Sequence, residues 1–236
     1  MARPLAPGDV HLWQLHLDKA AMNATSELLD EAERVRAARF LAPRDRQSFL
    51  AVRSFVRRVL SNYLQVPAAE IRFGEEPQGR PTIIYPEAGV ALSFSLSHCA
   101  TTAFLALAHG APIGVDVEHF APIEDLEQVA GTVLSPEEAA LLLAARVDER
   151  PRLFLHAWTR KEAILKALGV GLFASPEILN VPLAERGRWR IVLPDILKGS
   201  AAIDVEDISE GDLVAALAGP NLGTIVRRGT FLPEHP

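Results

Sequence analysis

Residues 154–169 read Phe154-Leu155-His156-Ala157-Trp158-Thr159-Arg160-Lys161-Glu162-Ala163-Ile164-Leu165-Lys166-Ala167-Leu168-Gly169, and upstream of them stands Gly114-Val115-Asp116-Val117-Glu118. The two stretches have different periods. In the shorter one, valines alternate with acids, which is the period of a strand. Val115 and Val117 then face a core, and Asp116 and Glu118 share the other face. In the longer one, Phe154, Trp158, Glu162 and Lys166 stand four apart, so on a helix they line one side, and Gly169 ends it. Each stretch alone has an ordinary reading, a strand with a wet face and a helix with one Glu–Lys pair worth a few tenths of a kcal/mol. Together they place three carboxylates and two lysines within one strand and one helix.

Outward from this pair, the chain alternates helical and extended patterns. Residues 10–17 partly alternate as a half-buried strand, on which His11 and His16 fall on opposite faces and read as ordinary strand residues. Residues 26–40 carry leucines at helical spacing, with Thr25 or Ser26 as the expected cap. Pro43 opens a longer helix through Leu64, its apolar side formed by Phe49, Val52, Phe55, Val56, Val59, Leu60 and Tyr63. Its other side is basic, with Arg44, Arg46, Arg53, Arg57 and Arg58, and such a run most often marks a solvated face. Residues 71–73 read as a short strand leading into the turn-rich segment 75–81. Further strands are expected over 92–98, 102–109 and 113–118.

The midpoint at Ala111-Pro112 separates two units of similar size, residues 1–112 and 113–236. The second opens with a helix over about 123–132. Ser135-Pro136-Glu137-Glu138 starts another, with serine as cap, proline at the first helical position and acids in the first turn. The motif helix follows over 152–168, then strands near 188–193, 202–205, 213–218 and 224–227, and a loose end at 233–236. Both units mix helices and strands, with no residue-level repeat and no low-complexity linker between them.

Composition excludes several classes. A net charge of −6 over 236 residues argues against a nucleic-acid binder, which carries a basic surplus to neutralise phosphates. Cys99 is the only cysteine, so no internal disulfide framework and no cysteine-based zinc site is expected. No signal-like apolar stretch follows Met1, and no run reaches bilayer length, so the expectation is a cytoplasmic enzyme without a membrane anchor. Asp116, Glu118 and Glu162 are hard oxygen donors of the kind Mg2+ prefers, and Lys161 and Lys166 are point charges for phosphate oxygens. That set suits phosphoryl-type transfer.

Here the order and spacing of four segments resemble a known family. Residues 114–118 and 158–172, Gln78-Gly79-Arg80-Pro81 and Phe94-Ser95-Leu96-Ser97-His98 are similar to the motifs of the 4′-phosphopantetheinyl transferases of the surfactin-synthetase-activating type. The likeness spans residues 78–172, and the Arg-rich helix before them is similar too. The resemblance implies an α+β fold of two similar helix-plus-sheet halves packed as a pseudo-dimer around a central cleft. The first half would contact the coenzyme A nucleotide, and the second would carry the metal and catalytic motifs. It implies an enzyme that moves 4′-phosphopantetheine from coenzyme A to a carrier-protein serine, with Mg2+, and releases 3′,5′-ADP.

By the same resemblance, Asp116, Glu118 and Glu162 would hold Mg2+ on the pyrophosphate. Lys166 would neutralise the leaving group, and Lys161 would assist with phosphate. Ser97 and His98 would contact the nucleotide end, Arg80 the adenine or its phosphate, and Arg53 the 3′-phosphate. Glu162, directly or through a water, is the first candidate for general base. Glu138 is the second, although it also reads as a plain helix N-terminal acid. Ser95, where the family usually has asparagine, and Cys99, where a small residue is common, leave the metal set intact. An acyl or peptidyl carrier protein is the expected partner, docking on the Arg-rich helix or near Leu172 and Phe173, and a monomer suffices to build the cleft. Two other readings stand beside this one. One is a non-catalytic coenzyme A or nucleotide binder on the same scaffold. The other is a different Mg2+-dependent phosphotransferase, weakened by the lack of a P-loop motif.

Overall fold

The computed structural model describes residues 5–20, 24–87, 91–171, 174–183, 186–197 and 202–230. Its strands are β1 (Val10–His16), β2 (Arg72–Glu75), β3 (Pro81–Tyr85), β4 (Leu92–His98), β5 (Thr102–His109), β6 (Gly114–His119), β7 (Arg188–Val192), β8 (Ala202–Asp207), β9 (Leu213–Gly219) and β10 (Ile225–Thr230). Its helices are α1 (Leu17–Ala20), α2 (Glu31–Ala38), α3 (Pro43–Leu64), α4 (Leu126–Val133), α5 (Pro136–Ala144) and α6 (Arg150–Leu168). One sheet runs β10-β1-β5-β4, the other β6-β9-β8-β7, and β2 with β3 forms a separate hairpin. The fold is α+β, with one long helix on each four-stranded sheet.

Side-chain alternation explains the layering. On β5, Leu105 and Leu107 point to α3, where they join Phe55, Val56, Val59 and Leu60. Phe104, Ala106 and Ala108 point the other way, onto Val115 and Val117 of β6 and Ala215 and Leu217 of β9. The remaining face of the second sheet, with Val214, Ala216 and Ala218, packs under Ala163, Ile164 and Ala167 of α6. The order of layers is therefore helix, sheet, sheet, helix. A strand covered on both faces reads as an unbroken apolar run, which is what β5 is.

The strands β4 and β5 and the helix α3 keep the bounds expected from their periods. Of the elements that differ, two have a plain local reason. The first charged helix begins at Glu31 and is capped by Asp30, not by Thr25 or Ser26. Asp30 Oδ1 accepts from the Glu33 amide at 2.9 Å, and Glu33 Oε2 accepts from the Asp30 amide at 3.1 Å, a reciprocal box. The strand β3 was not anticipated, because Pro81 and Pro86 bracket a run too short to show alternation.

The basic side of α3 is divided. Arg44, Arg46 and Arg58 are solvated. Arg57 is wholly buried and donates to Glu33 and Asp30 at 2.7 Å each and to the carbonyls of Ala68 and Ile71 at 3.0 and 2.8 Å. It is a structural strut tying α3 to the cap of α2. In the second half, Asp207 does the same for α6. His156 Nδ1 lies 2.9 Å and Arg160 Nη2 2.8 Å from its Oδ2. Burial alone would raise the Asp207 carboxyl, but the adjacent His156 ring, the Arg160 guanidinium and the Ser209 amide hold it well below the usual carboxylate range.

The two sheets also meet edge to edge. Val115 N donates to Ser95 Oγ at 3.0 Å and Val117 N to Ser97 Oγ at 3.3 Å, so β4 and β6 run parallel, joined by serine hydroxyls where a ladder would otherwise be. Leu172, Phe173 and residues 233–236 lie outside the described residues. Among the described residues no helix is long and apolar enough to cross a membrane.

Candidate active site

Gly114 brings the two motif segments together. A Cβ built on it would lie 1.9 Å from the Ala163 carbonyl oxygen and 2.6 Å from the Ala167 nitrogen. The backbone of α6 therefore rests directly on β6, a contact only glycine permits. Because Glu162 and Lys166 flank the contact on the same helix, they come over Asp116 and Glu118. Gly169, at φ 68°, then ends α6 in the left-handed conformation.

Asp116 is the centre of the group, 4% exposed. Its Oδ1 accepts from Lys166 Nζ at 2.6 Å and from Ser97 Oγ at 2.8 Å. Its Oδ2 is buried with no hydrogen-bond partner among the described residues. Glu118 Oε1 accepts from the Trp158 indole at 3.3 Å. Burial, then the charge of Asp116, raises the Glu118 pKa against the pull of Trp158 and Lys166. Glu162 is raised by burial, Asp116 and Glu118, with Lys166 opposing. The three carboxylates thus lie in one another's field. At the edge of the group stands His98, its pKa lowered by burial and by Lys166.

Among the described residues no three acids or histidines already form a ligand cluster. The donor chemistry nevertheless fits a small divalent cation. One buried oxygen lacks a partner, two further carboxylates are close, and their repulsion is what a cation relieves. Mg2+ binds in this way, taking a few carboxylates and completing its shell with water and phosphate.

A cleft of about 1140 Å3 leads from His98 across Phe73 to α2 and α3, and Arg36, Arg44 and Arg53 line it. Arg53 sits 5.0 Å from the Phe73 ring centre and is paired with Glu33, Nε to Oε1 at 2.5 Å. Its charge is thus partly answered. Arg36, stacked 5.6 Å from the Phe49 centre, was missed by sequence reasoning, being one charge among many on a short helix. Arg80 does not line this cleft. Its Nη1 donates to the Ala167 carbonyl at 3.2 Å, so the loop between β2 and β3 docks on the end of α6.

Three expectations change. Ser97 is buried, and its hydroxyl is engaged with Asp116 and the Val117 amide. Lys161 is fully buried and donates to Glu138 at 2.5 Å and to the carbonyls of Val133, Pro176 and Leu179 at 2.9, 3.1 and 2.9 Å. An ammonium with its donors so used has none left for phosphate. Glu138, 1% exposed, also accepts from the amides of Ser135 and Val181 at 2.8 and 2.7 Å, as third residue of the α5 capping box. It is a structural acid without access to a substrate. Breaking a buried pair leaves an uncompensated charge, so Lys161→Met is expected to cost about 3–5 kcal/mol. Lys161→Met with Glu138→Gln should cost less than the two single changes combined, read from denaturant unfolding of the four proteins.

Comparison with known proteins gives the class of enzyme. Residues 13–109 match the family model described as 4′-phosphopantetheinyl transferase, N-terminal, and residues 112–218 match that of the 4′-phosphopantetheinyl transferase superfamily. The chain belongs to the 4′-phosphopantetheinyl transferase superfamily and is an enzyme of that class. Among its relatives is 4′-phosphopantetheinyl transferase HetI of Nostoc sp. strain PCC 7120, 35% identical over 176 residues, 74% of each chain. Another is 4′-phosphopantetheinyl transferase Sfp of Bacillus subtilis strain 168, 29% identical over 188 residues, 78% of this chain and 81% of the relative. The 4′-phosphopantetheinyl transferase AcpT of Salmonella typhimurium is 37% identical over 124 residues, 52% of this chain and 59% of the relative.

Proposed function

We propose that this enzyme transfers 4′-phosphopantetheine from coenzyme A to a serine hydroxyl of an apo acyl or peptidyl carrier protein, with Mg2+, releasing 3′,5′-ADP. The observation that carries the reading is Asp116: buried, one oxygen held by Lys166 and Ser97, the other without a partner. Family membership supports the phosphopantetheine chemistry.

In this reading the nucleotide lies in the arginine-lined cleft, with residues before 113 contacting it and residues after supplying metal ligands and catalysis. Asp116, Glu118 and Glu162 hold Mg2+, which when bound neutralises pyrophosphate charge as a Lewis acid. Lys166 lies against Asp116 and places an ammonium where the leaving 3′,5′-ADP gains charge. His98, at the open end of β4, faces the phosphates from the cleft side. The attacking serine gives up its proton to a Glu162 carboxylate oxygen, directly or through one water. The exposed Arg44, Arg46 and Arg58 offer an acidic carrier protein a basic surface on an otherwise acidic enzyme. The enzyme acts as a monomer inside the cell.

The test is mass spectrometry of an apo carrier protein incubated with enzyme, coenzyme A and Mg2+. A gain of one phosphopantetheine, about 340 Da, lost when the metal is chelated, is expected. No gain across fatty-acid, polyketide and peptide carriers, with coenzyme A still bound, would replace the transferase by a binding protein on the same scaffold.

A further inference from the structure

Ser97 sits where the two halves touch. Its Oγ accepts from Val117 N of β6 at 3.3 Å and donates to Asp116 Oδ1 at 2.8 Å. A hydroxyl has one proton to give, and here the backbone amide fills its acceptor side, so the proton is directed at Asp116. Lys166 Nζ takes the same Oδ1 from the helix side at 2.6 Å. With Oδ1 gripped from both directions, rotation of the carboxylate is blocked and Oδ2 is left as the one oxygen to meet an incoming cation. Ser95, two residues earlier on the same face of β4, makes the equivalent seam bond to Val115 N at 3.0 Å but touches no carboxylate.

We propose that Ser97 is a positioning residue: a side chain of the first half that orients Asp116 of the second, so that the seam between the halves sets the affinity of the cation site. The inference rests on the metal-dependent reading above. In this role the Ser97 hydroxyl acts on the cation through Asp116.

Calorimetric titration of Mg2+ into the enzyme–coenzyme A complex tests it without needing turnover. Ser97→Ala is expected to weaken Mg2+ binding about tenfold or more, the usual cost of losing a hydrogen bond to a metal ligand. Ser95→Ala, which removes a seam bond of the same kind, should lower the melting temperature comparably and leave Mg2+ affinity unchanged. Ser97→Thr and Ser97→Val have the same shape and differ in the hydroxyl, so their comparison stands even if the alanine variant fails to fold, and threonine should bind Mg2+ close to wild type while valine does not. Equal Mg2+ affinity in Ser97→Ala and Ser95→Ala, or in the threonine and valine variants, overturns the proposal. Wild-type enzyme that binds Mg2+ tightly but modifies no carrier overturns the proposed function and leaves the Ser97 comparison readable, whereas wild type that binds no Mg2+ overturns both.

Discussion

Glu162→Ala should cut phosphopantetheine transfer by about a thousandfold while leaving the fold as stable as before, or more so. The first half of that expectation follows from the metal's contribution. Charge stabilisation by a bound cation is worth several kcal/mol in the transition state, and each 1.4 kcal/mol is about a factor of ten in rate. The second follows from the resting electrostatics. Burial and the charges of Asp116 and Glu118 already disfavour ionised Glu162, with Lys166 the opposing influence. Removing that carboxylate relieves repulsion, and its half-buried position leaves little cavity behind. The check is paired: turnover at saturating coenzyme A and Mg2+, and the melting temperature without either. Turnover within about tenfold of wild type would remove Glu162 from the site. A lower melting temperature would mean that the carboxylate serves the fold.

The Gly114→Ala change should act in the opposite sense, on the fold first. The atoms in the way of a Cβ, Ala163 O and Ala167 N, belong to the helix backbone and cannot rotate aside. Helix α6 would have to retreat by about 1.1 Å merely to restore a 3.0 Å contact. It is held by the valine and alanine layer beneath it, by Asp207 and by the Lys161–Glu138 pair. A loss above about 3 kcal/mol is expected, seen as a melting temperature roughly 10 °C lower. Activity of the fraction still folded should fall by about a hundredfold, since a displacement of this size separates Glu162 and Lys166 from Asp116. A variant that melts within a few degrees of wild type would show that the helix can shift freely.

Much of this was written in local periods. The spacing of Trp158, Glu162 and Lys166 and the alternation across Val115 to Glu118 put these side chains on facing surfaces, and Ser135 with Glu138 announced a cap. The same periods also held two warnings. Lys161 precedes Glu162 by one residue and so points about 100° away around the helix. It could not share the face of Glu162 and Lys166. Ser97 and His98 are neighbours on a strand, so their side chains leave it in opposite directions, and only one of them can lie against the buried face of Asp116. What was not legible is which edges meet. Glu33 answers Arg53 and Arg57 from another helix, and the β4–β6 contact depends on how two sheets stack. Nothing within a few residues of Ser97 names Val117 or Asp116 as its partner.

The last strand has a bearing on how the molecule is made. β10 pairs in parallel with β1, Ile225 opposite Val10, across nearly the whole chain. As the polypeptide leaves the ribosome, β1 can find β5 early, but its outer edge stays an open row of amides and carbonyls until the second half has been synthesised. Closing so long a loop costs entropy before any contact repays it, which makes this a late and slow event. The first half therefore cannot finish alone. Until then the chain carries an unpaired β edge, the kind of surface chaperones cover and aggregates grow from.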